Sequence, residues 1–324
     1  MSKKILFTNL VYGRLYADIF LTQHIRSLLD PSNIPACKDR CSYMIFTDAE
    51  TKDYIAQHPC MVGLTDIIEV RYNIFQWPQA ENEQQRFNSR YELLIETFRV
   101  GVDFALGENA FLSPMVADLV VAKNYVPQLF HRFATGYDSI FVLPARTAYE
   151  PMRKELARVD YALEAKDLWD LAYRNLHPLW VHCHWDNPQF TRLPYSLIWN
   201  TQTGLFVRSF SITPIAFLPR PEMLKATQVI DVEVPAMVKN PFWATDWIDC
   251  PVIGVEPLFC YYPPYRNERA HQNNIKEWMK KGIHESQKRW LPKELYYPDL
   301  PTVNPDKETR VRSNRVVISI LEES

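Results

Sequence analysis

The sequence predicts an α/β protein: a mostly parallel central sheet, then an irregular C-terminal half. Three observations carry that expectation. Over the first 72 residues, short apolar strand-like runs alternate with helical patterns, the order that builds a parallel sheet with helices on its faces. Glycine is scarce, at 8 of 324 residues, while proline is high at 24, which favours ordered loops and frequent element breaks. After His177 the texture changes: Trp, Pro and Tyr become dense and strand-like runs become short.

Taken in order, Ile5 to Asn9 predicts the first strand. Tyr16 to Leu29 predicts a helix, because Ile19, Phe20, Ile25 and Leu28 recur at near-helical spacing and Asp30-Pro31-Ser32-Asn33 ends it. Ser42 to Thr47 predicts the second strand, with Asp48 placed to cap a helix holding Tyr54 and Ile55. Asp66 to Tyr72 predicts the third. A polar stretch, Gln79 to Arg86, introduces a long helix from about Ser89 to Ala105. Phe111 to Val121 follows, then a helix around Val126 to Thr135 and a strand over Ser139 to Leu143. Pro151 to Asn175 predicts one helical segment, with Met152, Leu156, Val159 and Leu163 as its apolar stripe. Leu205 to Phe217 reads as one or two strands, Tyr261 to Asp306 as a polar stretch rich in Pro, Lys and Tyr, and Arg312 to Leu321 as a closing strand. The expected organisation is a nucleotide-binding α/β half over residues 1–150. Residues 151–324 form a substrate-shaping, acceptor-binding half packed on the same domain.

Composition removes several function classes. The chain carries 36 basic and 38 acidic residues, a net charge of -2, so it does not grip nucleic acid by bulk charge. It is not an acidic disordered chain either. No pair of glycines fits GxGxxG, no Gly precedes Lys-Ser or Lys-Thr, and no GxSxG occurs. The standard dinucleotide fingerprint, the P-loop and the hydrolase nucleophile elbow are therefore absent. The first apolar run breaks at Thr8 and Asn9, too short for a secretory segment, and no run of 18 apolar residues suggests a membrane span. Six cysteines without a CxxC pair argue against a zinc ribbon or redox motif and, with no secretory segment, predict a cytoplasmic location.

Ligands of open parallel sheets sit outside the carboxyl ends of the strands. That singles out Thr8, Asn9 and Tyr12 after the first strand, and Thr47 and Asp48 after the second. They make either a nucleotide cradle, with Tyr12 stacking and the others hydrogen bonding, or ordinary turn and helix-cap chemistry. Asp118 is the only acid between Glu108 and Asp138. It faces a ligand, a metal or a partner such as Lys123, or it is an exposed acid on a helix. His182, His184 and Asp186 alternate, so an extended segment would put all three on one face. That face can hold a divalent metal, move a proton or bind a polar substrate; the alternative is a His-rich surface strand. Asp246 and Asp249 share a face if helical, flanked by Trp243 and Trp247. Rings beside carboxylates suit sugars, and the plainer reading is acids at a helix start.

Several short segments carry a resemblance. Asp18-Ile-Phe-Leu21, Ser27-Leu-Leu29 and Asn33-Ile-Pro-Ala36, with a second strand ending at Thr47, resemble bacterial glycosyltransferase-like proteins of surface-polysaccharide or glycoconjugate biosynthesis. Leu112-Ser-Pro-Met-Val-Ala-Asp118 is similar to their Pro-Asp-rich segment. His177-Pro-Leu-Trp180, Gly204-Leu-Phe-Val-Arg-Ser-Phe210 and Thr213-Pro214 resemble their C-terminal core. The likeness spans most of residues 1–250. It implies a Rossmann-like, GT-A-type fold, a nucleotide-sugar donor and a glycan or glycoconjugate acceptor. The implied donor residues are Thr8, Asn9, Tyr12, Thr47, Asp48, Asp118, Lys123 and Arg208, with Arg208 or Lys123 offsetting the diphosphate charge. The implied acceptor residues are His182, Asp186, Trp243, Trp247 and Asp249, with Asp246 or His184 as general base. A divalent cation, Mn or Mg, would find Asp118 as its ligand. The sequence departs from the family at Leu119, where Gly is usual, at Met115, where an acid is usual, and at Ser211 and Thr213, where histidines are frequent. No Asp-x-Asp pair surrounds Asp118. These departures also fit a catalytically inactive binding protein on the same fold. A methyl-donor transferase is a third possibility, against which the lack of a Gly-rich first turn weighs.

Overall fold

The computed structural model describes residues 3–76, 83–258, 265–298 and 307–322. Parts of the predicted polar stretches at 79–86 and 261–306, and Cys260, lie outside these residues. The chain divides into two compact units that interleave along the sequence. The first comprises Met1–Phe141, Val159–Glu164 and Pro214–Trp243. The second comprises Val142–Arg158, Ala165–Thr213 and Ala244–Ser324.

In chain order the strands are β1 (Ile5–Leu10), β2 (Cys41–Thr47), β3 (Glu69–Ile74), β4 (Phe111–Val116), β5 (Leu119–Val121), β6 (Ser139–Val142) and β7 (Ala145–Ala148). Then come β8 (Ser196–Thr201), β9 (Gly204–Ser209), β10 (Thr213–Phe217), β11 (Pro241–Trp243), β12 (Val252–Glu256) and β13 (Leu295–Pro298). β1 and β2 are buried along nearly their whole length, as strands covered on both faces must be, and this is why they read as unbroken apolar runs.

Among the described residues the first unit is built on a seven-stranded sheet of order β11-β6-β10-β4-β1-β2-β3. β1 pairs in parallel with both β2 and β4, and β2 with β3. β11 is parallel to β6, and β10 runs antiparallel to β4. The expected α/β class with a mostly parallel sheet is the observed one. The chain lays β1, β2 and β3 outward in one direction. The Glu83–Gly107 helix then carries it back to place β4 on the other side of β1. Strand order therefore reverses between β1 and β4.

The first helix differs from expectation in its winding. Arg14–Ile19 is α-helical, Phe20–Ile25 is π-helical, and Arg26–Leu28 resumes the α form. The third strand starts three residues later than predicted, because Asp66 caps the Pro59–Thr65 helix in helical conformation. The predicted helix over 151–175 is two, Tyr149–Leu156 and Ala165–Arg174. Tertiary partners take the backbone between them: Arg26 donates to the carbonyls of Val159 and Asp160, at 2.6 and 2.7 Å, and the Lys123 amide donates to Leu163.

In the second unit β13, β9 and β8 form an antiparallel sheet, and β7 pairs in parallel with β12. Trp199, Phe206 and Phe210 pack with Ile275, Val316 and Ile320 to form its core. The expected closing strand over Arg312–Leu321 is a helix, Lys307–Leu321. Ser313, Val316, Val317 and Ile320 are its buried residues, a spacing of three and four that only a helix presents on one face.

Candidate functional site

Leu10 of β1 and Val116 of β4 are register partners. Tyr12 and Asp118 each follow two residues later, so they leave neighbouring strands, whose spacing is about 4.8 Å. Both are half-buried and stand where strand order reverses. A crevice at such a reversal is where open α/β sheets take ligands. β1 runs on through a hydrogen bond from the Val11 amide to the Phe46 carbonyl at 2.9 Å. Gly13 then takes φ 71 and opens the Arg14–Ile19 helix, a turn that a Cβ would strain. Its amide donates to the Thr51 hydroxyl at 3.2 Å.

Two arginines that the sequence reading missed lie at this end of the sheet. Burial pushes the Tyr12 phenol up, and the positive charge of Arg90 acts against that shift. Arg14 lies over the Tyr54 ring at 3.4 Å and pairs with Asp18 at 3.4 Å. Tyr54 donates to Asp18 at 2.5 Å. Arg90 sits early in the Glu83–Gly107 helix, and only the strand order brings it to β1.

The other residues expected at these strand ends separate by depth. Thr8, Asn9 and Thr47 are buried, at 6%, 1% and 0% exposure, so they lie under the rim. Asn9 hydrogen bonds with the Tyr43 hydroxyl, which in turn meets His24 Nε2 at 2.9 Å. Asp48 caps the Ala49–Ala56 helix by accepting from the Thr51 amide at 2.8 Å and its hydroxyl at 2.9 Å. Asp118 occupies the turn between β4 and β5, not a helix. The Lys123 ammonium pairs with Glu164 at 3.0 Å.

Arg208 lies in the second unit, 1% exposed. It donates to the Pro292 carbonyl, to Glu294 at 3.0 Å, and to Ser313 and Asn314. This guanidinium ties the β9 strand to the C-terminal helix, in place of the expected diphosphate contact.

His182, His184 and Asp186 do not share a strand face. Pro178–Val181 is helical, His182 caps it, and the chain turns through Cys183 to Asp186. Pro178 at the first helical position favours that start. His182 bonds the Gln189 carbonyl at 2.7 Å and stacks on Tyr265. Asp186 forms a two-pronged pair with Arg312 at 2.6 and 3.0 Å. His184 is half-buried, and burial lowers its pKa against the opposing effect of Asn200.

Asp246 and Asp249 are not helical. Asp246 Oδ1 accepts from the Ile248 and Asp249 amides at 2.8 and 3.1 Å, a side-chain turn. Both acids line a cavity of the second unit with Trp169, Trp247, Cys250 and Tyr297. Trp247 is fixed by its indole bond to the Pro298 carbonyl at 2.8 Å, and Tyr297 by its bond to the Leu143 carbonyl at 2.6 Å. Trp243 ends β11 in the first unit and is not part of that wall.

Among the described residues, no three His, Cys, Asp or Glu side chains converge in a way that holds a metal ion. Asp118 offers a single carboxylate, so these residues do not fit a protein-built Mn or Mg cage. Among the described residues no helix is long and apolar enough to cross a membrane.

No protein-family model and no curated protein sequence matches the chain. Solved structures that it matches include a Bacillus anthracis protein described as a glucose-1-phosphate thymidylyltransferase in complex with a sucrose. That match has 12% identity and TM-score 0.27, over 46% of this chain and 57% of that one. Apo mouse xyloside xylosyltransferase 1 matches at 10% identity and TM-score 0.27, over 48% and 59%. The mannosyltransferase Ktr4p of S. cerevisiae in complex with GDP matches at 12% identity and TM-score 0.28, over 54% and 53%. The chain spans little more than half the length of each.

Proposed function

We propose that the chain is a glycosyltransferase that binds a nucleotide-sugar donor at the β1/β4 strand reversal of its first unit. The observation that carries this reading is the emergence of Tyr12 and Asp118 side by side at that reversal. An aromatic ring there suits stacking against a base, and a carboxylate suits ribose or sugar hydroxyls. Arg90 and Arg14 are the cations we assign to the diphosphate, since the charge of Arg90 acts on Tyr12 and Arg14 opens the helix that follows β1, whereas Arg208 is committed to the second unit. Thr8, Asn9, Thr47 and Asp48 support this rim from below.

The acceptor is assigned to the cavity lined by Asp246, Trp247 and Asp249, where sugar C–H faces can stack on rings and hydroxyls can bond carboxylates. Asp246 is the candidate base for the acceptor hydroxyl. His184 is the second candidate, because burial favours its neutral, proton-accepting form. A role in surface-polysaccharide or glycoconjugate assembly in the cytoplasm belongs to the same reading.

The test is a thermal-shift and calorimetric panel of UDP, GDP and dTDP and their sugar conjugates, with and without Mn. A ligand of the native state raises the melting midpoint by mass action. One nucleoside diphosphate is expected to bind, and Tyr12→Ala to weaken it about tenfold, within the range of a lost base–ring stack. Silence across the panel overturns the reading. Binding with neither hydrolysis nor transfer points instead to a catalytically inactive binding protein.

A further inference from the structure

The residues just beyond Asp118 are held by polar side chains from a distant stretch of chain. His24 Nδ1 lies 2.6 Å from the Leu119 carbonyl. The Ser27 hydroxyl accepts from the Val121 amide at 3.2 Å. Asn33 Nδ2 donates to the Ala122 carbonyl at 3.0 Å, and its Oδ1 accepts from the Val126 amide at 3.3 Å. The Ser32 hydroxyl accepts from the Asn124 amide at 3.0 Å.

These side chains also bond within their own segment. Ser27 donates to the His24 carbonyl at 2.8 Å, Asn33 donates to the Ser27 carbonyl at 2.9 Å, and Ser32 donates to Asp30 at 2.5 Å. His24, Ser27, Asp30 and Asn33 are all buried. Desolvating that many polar groups is costly unless every one is paired. A segment that merely covered the sheet would do so with apolar side chains. The π-helical winding over Phe20–Ile25 contributes, because its wider turn buries Gln23 and His24 together.

We propose that His24, Ser27, Ser32 and Asn33 are positioning residues: a polar clamp that fixes the turn carrying Asp118 beside the carboxyl end of β1. This rests on the nucleotide reading of that crevice. The clamp bonds only backbone groups of residues 119–126, so it sets where the turn carrying Asp118 stands without engaging the Asp118 side chain. It also gives a physical role to Ser27 and Asn33, which the sequence offered only as parts of short motifs.

The experiment compares the full chain with Ser27→Ala, Ser27→Thr and His24→Phe. The threonine keeps the hydroxyl, and the phenylalanine keeps a ring against Phe20, on which His24 stacks. Amide hydrogen exchange is followed over residues 117–126, with 204–209 in the second unit as the internal reference, and affinity is measured for UDP, GDP and dTDP. Exchange over 117–126 is expected to quicken about tenfold in Ser27→Ala and His24→Phe with 204–209 unchanged, the scale of one lost hydrogen bond. Affinity for the nucleotide that wild type binds is expected to fall about fivefold and to return within about twofold in Ser27→Thr. Unchanged exchange over 117–126 overturns the clamp, and so does faster exchange with wild-type affinity. If wild type binds none of UDP, GDP, dTDP and their sugar conjugates, the nucleotide reading fails, while the exchange comparison still decides whether the clamp holds the turn. Ser32→Ala, at the half-exposed end of the clamp, supplies the same comparison at 124–126 if Ser27→Ala does not fold.

Discussion

His24 Nδ1 lies 2.6 Å from the carbonyl oxygen of Leu119, 95 residues away in sequence. A carbonyl only accepts, so Nδ1 carries the proton. That bond favours the protonated ring, but burial outweighs it and pulls the pKa of the wholly buried ring down to about 4, so the ring is neutral near pH 7. The unfolded chain takes a proton near pH 6.5, well before the native state does. Stability contributed by the neutral ring is therefore complete above about pH 6.5 and is lost as pH falls toward 4, by roughly 3 kcal/mol. His58, His177 and His184 are also lowered by burial and act with the same sign. The His24 share is the difference between wild type and His24→Phe in urea unfolding at pH 7.5, 5.5 and 4. Parallel curves for the two proteins would remove it.

Gly204 begins β9 at φ +135, opposite Pro298 of β13. A Cβ added there meets the Tyr297 carbonyl oxygen at 2.1 Å and Pro298 Cα at 2.8 Å. Both are backbone atoms of a paired strand, so neither can yield cheaply. Gly204→Ala is expected to cost at least about 3 kcal/mol, combining clash and backbone strain. The denaturation midpoint reads this directly, and a midpoint equal to wild type would show that β13 does not approach β9 this closely.

Arg208→Met leaves Glu294, Asn314 and the Pro292 carbonyl without their shared donor. Removing one partner of a buried ion pair costs about 3–5 kcal/mol, and the partial exposure of Glu294 puts this case near the lower end, at about 3 kcal/mol. A fall in melting temperature is expected, with nucleotide affinity, measured well below the midpoint, within about twofold of wild type. A selective loss of affinity with unchanged melting would return Arg208 to the donor site.

Asp118→Asn keeps the shape of the turn and removes its charge. Turnover of the sugar nucleotide that wild type uses is expected to fall at least tenfold, about 1.4 kcal/mol of transition-state stabilisation. Melting should barely change, since the clamp holds backbone groups that this substitution leaves alone. Unchanged turnover would take Asp118 out of the site.

The strands that position the site were readable because burial on both faces writes a plain pattern: Ile5-Leu-Phe and Tyr43-Met-Ile-Phe admit little else. Arg312–Leu321 misled for the converse reason. Val316, Val317, Ile318 and Ile320 are β-branched and favour strands locally, while tertiary packing selects the helical face through Ser313 and Ile320. Tyr12 and Asp118 could each be picked out as lone polar residues at strand ends. Their adjacency could not, because it depends on β4 returning to the far side of β1. Arg90 looked like one more charge on a long helix. The His-x-His-x-Asp alternation suggested a strand, but Pro178 starts a helix just before it and the chain turns at once.

The interleaving of the two units governs how the protein can be made. β10 lies between β4 and β6 in the first unit's sheet, yet Thr213–Phe217 leaves the ribosome some 70 residues after β6. Until then β4 and β6 each lack a neighbour, and the Ser113 hydroxyl lacks the Ile215 carbonyl that it bonds at 2.6 Å. Pairings of such long sequence separation form late and slowly, and open strand edges invite aggregation meanwhile. A nascent chain stopped near residue 150 would therefore present an unfinished sheet, and the carboxyl ends of β1 and β4 would reach their final surroundings only after nearly half of the second unit's residues had been synthesised.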